Sequence, residues 1–168
     1  MIKNTLLIFI FSFSALGLAQ NPKEGDKAPD FEIQQFDGKT FKLSDYKGKQ
    51  SVYLVFWNAW CTNCFKKIPQ LKETQAHVSD KIKIIAINTS RKDSMEESLA
   101  FQKKFEINYP LAFDYGKKVT DLYTAKFVPY AFIIDINGII RHRDNIPDDI
   151  SAHLSDWNAV QQKVATTP

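Results

Sequence analysis

Apolar residues fall into two kinds of run along this chain, and the two kinds alternate. Ser51-Val52-Tyr53-Leu54-Val55-Phe56-Trp57 is short, continuous and rich in β-branched and aromatic side chains, which predicts a buried strand. Ile82, Ile84, Ile85 and Ile87 predict a second one. Segments 31–36 and 40–43 alternate around Asp37-Gly38, and segments 130–135 and 139–143 flank Asn137-Gly138, so each pair predicts a hairpin. Between these strands the period changes. Phe65, Ile68, Leu71 and Gln75 fall at helical spacing and predict a helix towards His77, kinked at Pro69. Ser94-x-x-Glu97 is a capping box opening a helix through Leu99, Phe101 and Phe105. Segment 117–123 predicts a short helix. Asp148-Asp149 begin a last one, with Ile150, Leu154, Trp157 and Val164 on one stripe. Strands interleaved with helices, closing on a hairpin and a helix, give an α/β fold with a central mixed sheet.

Composition narrows the function. A chain of 168 residues, 44% hydrophobic, buries one sizeable core. With 24% charged residues, 6 glycines and 7 prolines, neither bulk disorder nor a collagen-like repeat fits. Basic residues number 22 against 19 acidic, and no run of five Lys or Arg occurs, so nothing points to nucleic acid. Two Cys and three His do not close a four-ligand metal site without carboxylates, and no cofactor is expected. His77, His142 and His153 are scattered and read as surface or hydrogen-bonded residues. No stretch reaches the roughly 18 apolar residues of a standard transmembrane helix.

The first nineteen residues read as a targeting segment. Lys3 precedes an apolar run from Leu6 to Leu18, and Gly17 and Ala19 place small side chains two apart, as signal peptidase requires. The expectation is a signal peptide over 1–19 and one domain over 20–168, exported to a periplasmic or other extracytoplasmic space. A retained N-terminal anchor or a buried helix is the competing reading.

Export changes the meaning of the two cysteines. Outside the cytosol thiols tend to be oxidised and small domains use disulfides as staples. A bridge between Cys61 and Cys64 closes only four residues, and chain entropy gives it about 2 kcal/mol, against about 3 for a 15-residue loop. That is a poor staple, so chemistry is the better reason for the pair. Cys61 falls at a strand-to-helix junction, on the first turn of the helix. There unpaired N–H groups and the positive dipole end lower a thiol pKa below the free value of about 8.5. Cys64 lies nearly one turn on, placed to resolve a mixed disulfide formed at Cys61.

With its Trp57-x-x-Trp60-Cys61-x-x-Cys64 pattern the chain resembles the thioredoxin superfamily, and most closely its exported TlpA/ResA-like branch. Residues 25–31, Asp37-Gly38-Lys39 and Leu43-Ser44-Asp45 are similar to the N-terminal hairpin this branch shares with peroxiredoxins. Residues 81–88 are similar to the next core strand, 94–114 to the central insertion, and 128–138 to the cis-proline strand and its hairpin. The resemblance implies a thioredoxin-like fold and an extracytoplasmic thiol–disulfide oxidoreductase. It also implies a cis bond before Pro129, packed against the cysteines, with Val128 offering backbone groups to an extended substrate by strand addition. An isolated proline would be read instead as a trans residue ending a loop. Trp57, Trp60, Phe127 and Tyr130 are candidates for a docking face around Cys61, Trp57 being equally a core residue. Client proteins with disulfides or thiols, a membrane thiol donor for regeneration and a monomeric state are the implied partners.

Four positions depart from the family pattern. Asn63 replaces the proline before the second cysteine, Lys67 a glutamate thought to handle protons, Val55 the buried aspartate of thioredoxins proper, and Tyr130 the threonine after the cis-proline. Proton transfer then has no obvious side chain. Lys67 is a candidate modulator, because an ammonium near the pair favours the thiolate; a solvated surface lysine is the competing reading. Asp114 and Asp121 either cap or solvate the insertion. Two other functions compete. A peroxidase fits the likeness to peroxiredoxins, but Trp57-Asn58-Ala59-Trp60 stands where that signature has proline and threonine. A Cu(I)-binding or scaffold protein suits two thiolates, but no third ligand is visible near them.

Overall fold

The computed structural model describes residues 21–150 and Leu154. The segment expected to be a signal peptide, and His153, Trp157 and Val164, lie outside the described residues. Five strands form the central sheet in the order β5-β4-β3-β6-β7. At its centre β3 (Ser51–Trp57) runs parallel to β4 (Ile82–Asn88) in register from Ser51↔Ile82 to Trp57↔Asn88. On its other side β3 pairs antiparallel with β6 (Tyr130–Ile134), so that Phe56 faces Tyr130. β5 (Leu111–Phe113) extends the sheet in parallel beyond β4, and β7 (Ile140–Asp144) antiparallel beyond β6. The mixed α/β sheet expected from the sequence is present.

Both faces of this sheet are covered, which is why β3 shows no polar alternation and every one of its residues is buried. On one face Tyr53, Val55, Trp57, Ile84 and Ala86 pack under α1 (Thr62–Val78) through Ile68 and Leu71, with Phe101 of α2 (Met95–Lys104) and with Ile150 and Leu154. On the other, Val52, Leu54, Phe56, Ile85 and Ile87 meet Phe31, Phe41, Tyr123 and Phe132. The capping box is complete: Ser94 Oγ accepts the Glu97 N–H at 3.1 Å while Glu97 Oε2 accepts the Ser94 N–H at 2.9 Å. Phe101 is buried as expected, whereas Leu99 points outward and Phe105 is the C-cap rather than a helical residue. α1 runs through Pro69, which is exposed. Asp114 is a cap: it accepts hydrogen bonds from the N–H groups of Val119 and Thr120 and from the Thr120 hydroxyl, fixing the start of α3 (Lys118–Leu122).

The chain covers part of each sheet flank itself. β1 (Glu32–Gln34) and β2 (Thr40–Lys42) form a separate hairpin that leans on β5, where the Phe36 N–H donates to Leu111 O at 2.9 Å. At the opposite flank the Gly25 N–H donates to Ile140 O at 2.8 Å, and the Ile140 N–H to Asp26 O at 3.0 Å. Tyr123 pins this N-terminal stretch through a 2.6 Å bond from its hydroxyl to Pro29 O, and burial pushes that phenol well above its ordinary pKa.

Two substitutions rank these contributions. Ile85→Ala, at a fully buried site, is expected to lower stability by about 2–5 kcal/mol through lost burial and a cavity. Tyr123→Phe, which removes one hydrogen bond, is expected to lower it by about 1 kcal/mol. Denaturant midpoints check both, and a negligible effect of Ile85→Ala contradicts a core on each face of the sheet.

Candidate active site

β3 delivers the chain to the end of the sheet at Trp57, and residues 58–60 turn it towards α1. The Cys61 N–H closes that turn on Asn58 O at 3.1 Å. Cys61 is then the N-cap of α1, one position before the first helical turn where the sequence placed it, with extended backbone at φ −81° and ψ 99°. The Cys64 N–H is shared between Cys61 O at 3.0 Å and Cys61 Sγ, which accepts it at 3.1 Å. The first turn of α1 carries no acidic residue, so the positive end of the helix dipole acts on that sulfur unopposed from within the helix. Cys61 and Cys64 are joined as a disulfide with Cα atoms 5.2 Å apart. Both sulfur-bearing residues are buried, 4% and 6% exposed, so exposure does not rank them; the cap position does.

Cys64 faces inward with Trp57, Ile68 and Leu71. Beside it lies a cavity of about 10 Å³, bordered by Trp57, Phe101, Tyr109 and Pro129, with room for one water at most. The indole N–H of Trp57 is buried without an acceptor. No carboxylate borders this cavity.

The turn before Cys61 is held by a polar network that sequence reasoning missed. Asp93 Oδ2 accepts the Ala59 N–H at 2.6 Å, the Asn88 amide at 2.7 Å and the Asn58 amide at 3.2 Å. Fully buried Asn58 also donates to Asn88 Oδ1 at 3.0 Å and accepts from the Thr89 hydroxyl at 2.6 Å. Asn88 further donates to Ser98 Oγ at 2.8 Å. The loop that supplies Asp93 contains two non-glycine residues in the left-handed region, Ser90 at φ 54° and Lys92 at φ 49°. Such residues cost about 1–2 kcal/mol each. Asn88 Oδ1 fixes the first by accepting the Ser90 N–H at 2.8 Å, and the Ser90 hydroxyl donates to Asp114 O at 2.9 Å. One signal was available: two asparagines stand just where adjacent buried strands end, and such strand ends are where sites in α/β sheets gather.

The second wall is the loop before β6. The bond between Val128 and Pro129 is cis, and Pro129 is buried against the same cavity as Cys64. Val128 is half-buried and Tyr130 buried, with the exposed Phe127 ring edge-on to Tyr130 at 4.6 Å. Trp60 is 53% exposed, yet its indole N–H donates to Arg91 O at 2.8 Å. Arg91 Nη1 in turn donates to Lys126 O at 3.0 Å, linking the two walls. Lys67 has its ammonium paired with Asp148, whose carboxyl it holds below the usual carboxylate range, and Gln70 on the same helix binds Pro147 O. His77 lies on the exposed part of α1, and His142 bonds Asn145 O from β7. Among the described residues no group of three or more His, Cys, Asp or Glu is arranged to hold a metal ion.

Asp93→Ala removes one acceptor shared by three N–H donors, leaving the Ala59 N–H and one N–H of the Asn88 amide without their partner while the Asn58 amide keeps Asn88 Oδ1. It is expected to lower stability by about 2–4 kcal/mol, read from the denaturant midpoint; a loss within ~0.5 kcal/mol contradicts the network.

The model of the AhpC/TSA family matches residues 24–143. The thioredoxin-like protein YneN of Bacillus subtilis is 31% identical over 144 residues, covering 81% of this chain and 84% of that one. The thiol–disulfide oxidoreductase ResA of Geobacillus kaustophilus is 32% identical over 135 residues, covering 77% and 75%. Matches to the ResA chains of Bacillus cereus and Bacillus subtilis span 65% and 63% of those relatives' length. Among solved structures, the exposed lipoprotein thioredoxin Etrx1 of Streptococcus pneumoniae superposes with a TM-score of 0.68 at 28% identity, covering 78% of this chain and 99% of that one. The chain belongs to the AhpC/TSA family, as a thiol–disulfide oxidoreductase of thioredoxin-like fold.

Proposed function

We propose that this chain exchanges disulfides with client proteins outside the cytoplasm, with Cys61 as nucleophile and Cys64 as resolving thiol. The observation that carries this is the Cys61 sulfur at the N-cap of α1, hydrogen-bonded by the N–H of the cysteine it pairs with. In the reduced protein the thiolate of Cys61 attacks one sulfur of a client disulfide, forming a mixed disulfide and releasing a client thiolate that takes up a proton. Cys64 then loses its proton and attacks the Cys61 sulfur. The Cys61–Cys64 bond forms, the second client thiol leaves, and two electrons have passed to the client. Run backwards, the same steps donate the disulfide. No carboxylate borders the cavity beside Cys64, so the protons are exchanged with solvent.

Val128 offers backbone groups to an extended client segment, Pro129 and Tyr130 shape the floor beneath it, and Trp60 flanks it. The apolar run from Leu6 to Leu18, with small residues Gly17 and Ala19 two apart at its end, supports export. Among the described residues no helix is long and apolar enough to cross a membrane. A monomer regenerated by a membrane thiol donor completes the reading.

Cys64→Ser, expressed with its leader, is expected to accumulate mixed disulfides with clients, visible as high-mass species that collapse on reduction. Cys61→Ser is expected to fall to the uncatalysed rate of insulin reduction. Peroxide consumption or tight copper retention without insulin reduction would overturn the proposal. Alkylation of reduced Cys61 is expected to rise with a midpoint below about 8.5. Lys67→Glu tests whether Lys67 acts on the thiolate beyond its bond to Asp148: a raised midpoint is the expected outcome, and identical curves exclude that role.

A further inference from the structure

Three segments frame the disulfide: residues 58–67, 89–93 and 124–130. They hold five cations (Lys66, Lys67, Arg91, Lys92 and Lys126) and one acid, Asp93, in a chain whose overall ratio is 22 to 19. The acid is half-buried, with its Oδ2 taken by three N–H donors, and the one further carboxylate lining the cleft beside Trp60 and Lys92, that of Glu97, is engaged in the capping box with Ser94. Lys67 is neutralised by Asp148. Arg91, Lys92 and Lys126 keep the balance of the rim positive. Their placement is fixed rather than floppy: Arg91 receives the Trp60 indole on its carbonyl and donates its guanidinium to Lys126 O, so the two loops carrying these cations are bonded to each other and to the turn before Cys61. Large apolar side chains stand in the same rim, Trp60 at 53% and Phe127 at 49% exposed, the first held by that hydrogen bond and the second by its edge-on contact with Tyr130. Held aromatic anchors among unpaired cations favour a partner that brings apolar and acidic groups together.

Building on the exchange reaction proposed above, we infer that this rim selects extended client segments carrying acidic residues beside their cysteine. The aromatic pair gives contact area with little ordering cost, while the cations decide between clients. Carboxylates flanking the scissile disulfide are drawn in and basic flanks repelled, before any bond is exchanged. The discrimination is electrostatic and at the surface, so it acts on association and weakens with salt.

The test uses the reduced wild-type protein in single-turnover exchange with two peptide disulfides of one sequence, flanked either by glutamates or by lysines. Each rate is divided by that of the same peptide with free 2-mercaptoethanol, which removes the flanks' intrinsic effect on the sulfur. The Glu-flanked peptide is expected to react about tenfold faster at ~0.02 M salt, the gap shrinking to about twofold at ~0.5 M. The double substitution Lys92→Glu, Lys126→Glu is expected to reverse the ranking, a ratio that survives any uniform loss of activity. Equal normalised rates in the wild type, or a ranking unchanged in the variant, overturn the inference. Wild-type exchange with uncharged 2-hydroxyethyl disulfide separates the two levels. If that reaction runs while the peptides are not discriminated, only the selectivity falls; if it fails, the exchange reaction falls with it.

Discussion

No side-chain oxygen caps the start of helix α1. The cap is the sulfur of Cys61, and the N–H it accepts belongs to Cys64, the other half of the bond. An orphan donor at a helix start is ordinarily answered by Ser, Thr, Asp or Asn. Here the Cys64 N–H is shared between the Cys61 carbonyl oxygen and the atom that reacts, so the helix start favours that atom as an anion, and no acidic side chain in the first turn competes for the same field. The rest of the molecule serves that placement. A strand buried on both faces brings the backbone to a defined end, a turn closed on Asn58 aims it, and the cis bond before Pro129 sets the opposite wall.

Much of this is legible in the sequence because the signals are local. The run 51–57 had to be a buried strand. Asn137-Gly138 had to turn, and β6 and β7 fall on either side of it within a residue of expectation, Asp135 holding the bend through the N–H groups of Asn137 and Ile139. Ser94 and Glu97 cap one another as their spacing says. β5 could not be placed residue by residue, because a three-residue strand is too short to show a period. Cys61 is one position earlier in the helix than the pattern suggested, since periodicity locates a helix but not its cap.

The support of the reactive turn lies beyond local reading. Ala59 and Asp93 are far apart in the chain, and they meet only because β3 and β4 pair in parallel and leave their ends side by side at Trp57 and Asn88. Two left-handed residues then fold the following loop back on the turn. Neither Asn58 nor Asp93 carries a motif. Their role comes from hydrogen-bond satisfaction between a fully buried amide and a half-buried carboxylate, and that accounting needs the tertiary structure.

The stoppered flanks of the sheet bear on what can pair with it. Residues 25–28 bond the turn before β7 and its first residue, Ile140, and the β1–β2 hairpin leans on β5. An open sheet edge is a template on which a foreign strand can pair and stacking can run on. Where the outer N–H and C=O groups are answered from within, as at Leu111 and Ile140, such a strand finds fewer free partners along the sides of the sheet. The same N-terminal stretch that closes the fold thus also shortens the open edge at both sides of the sheet.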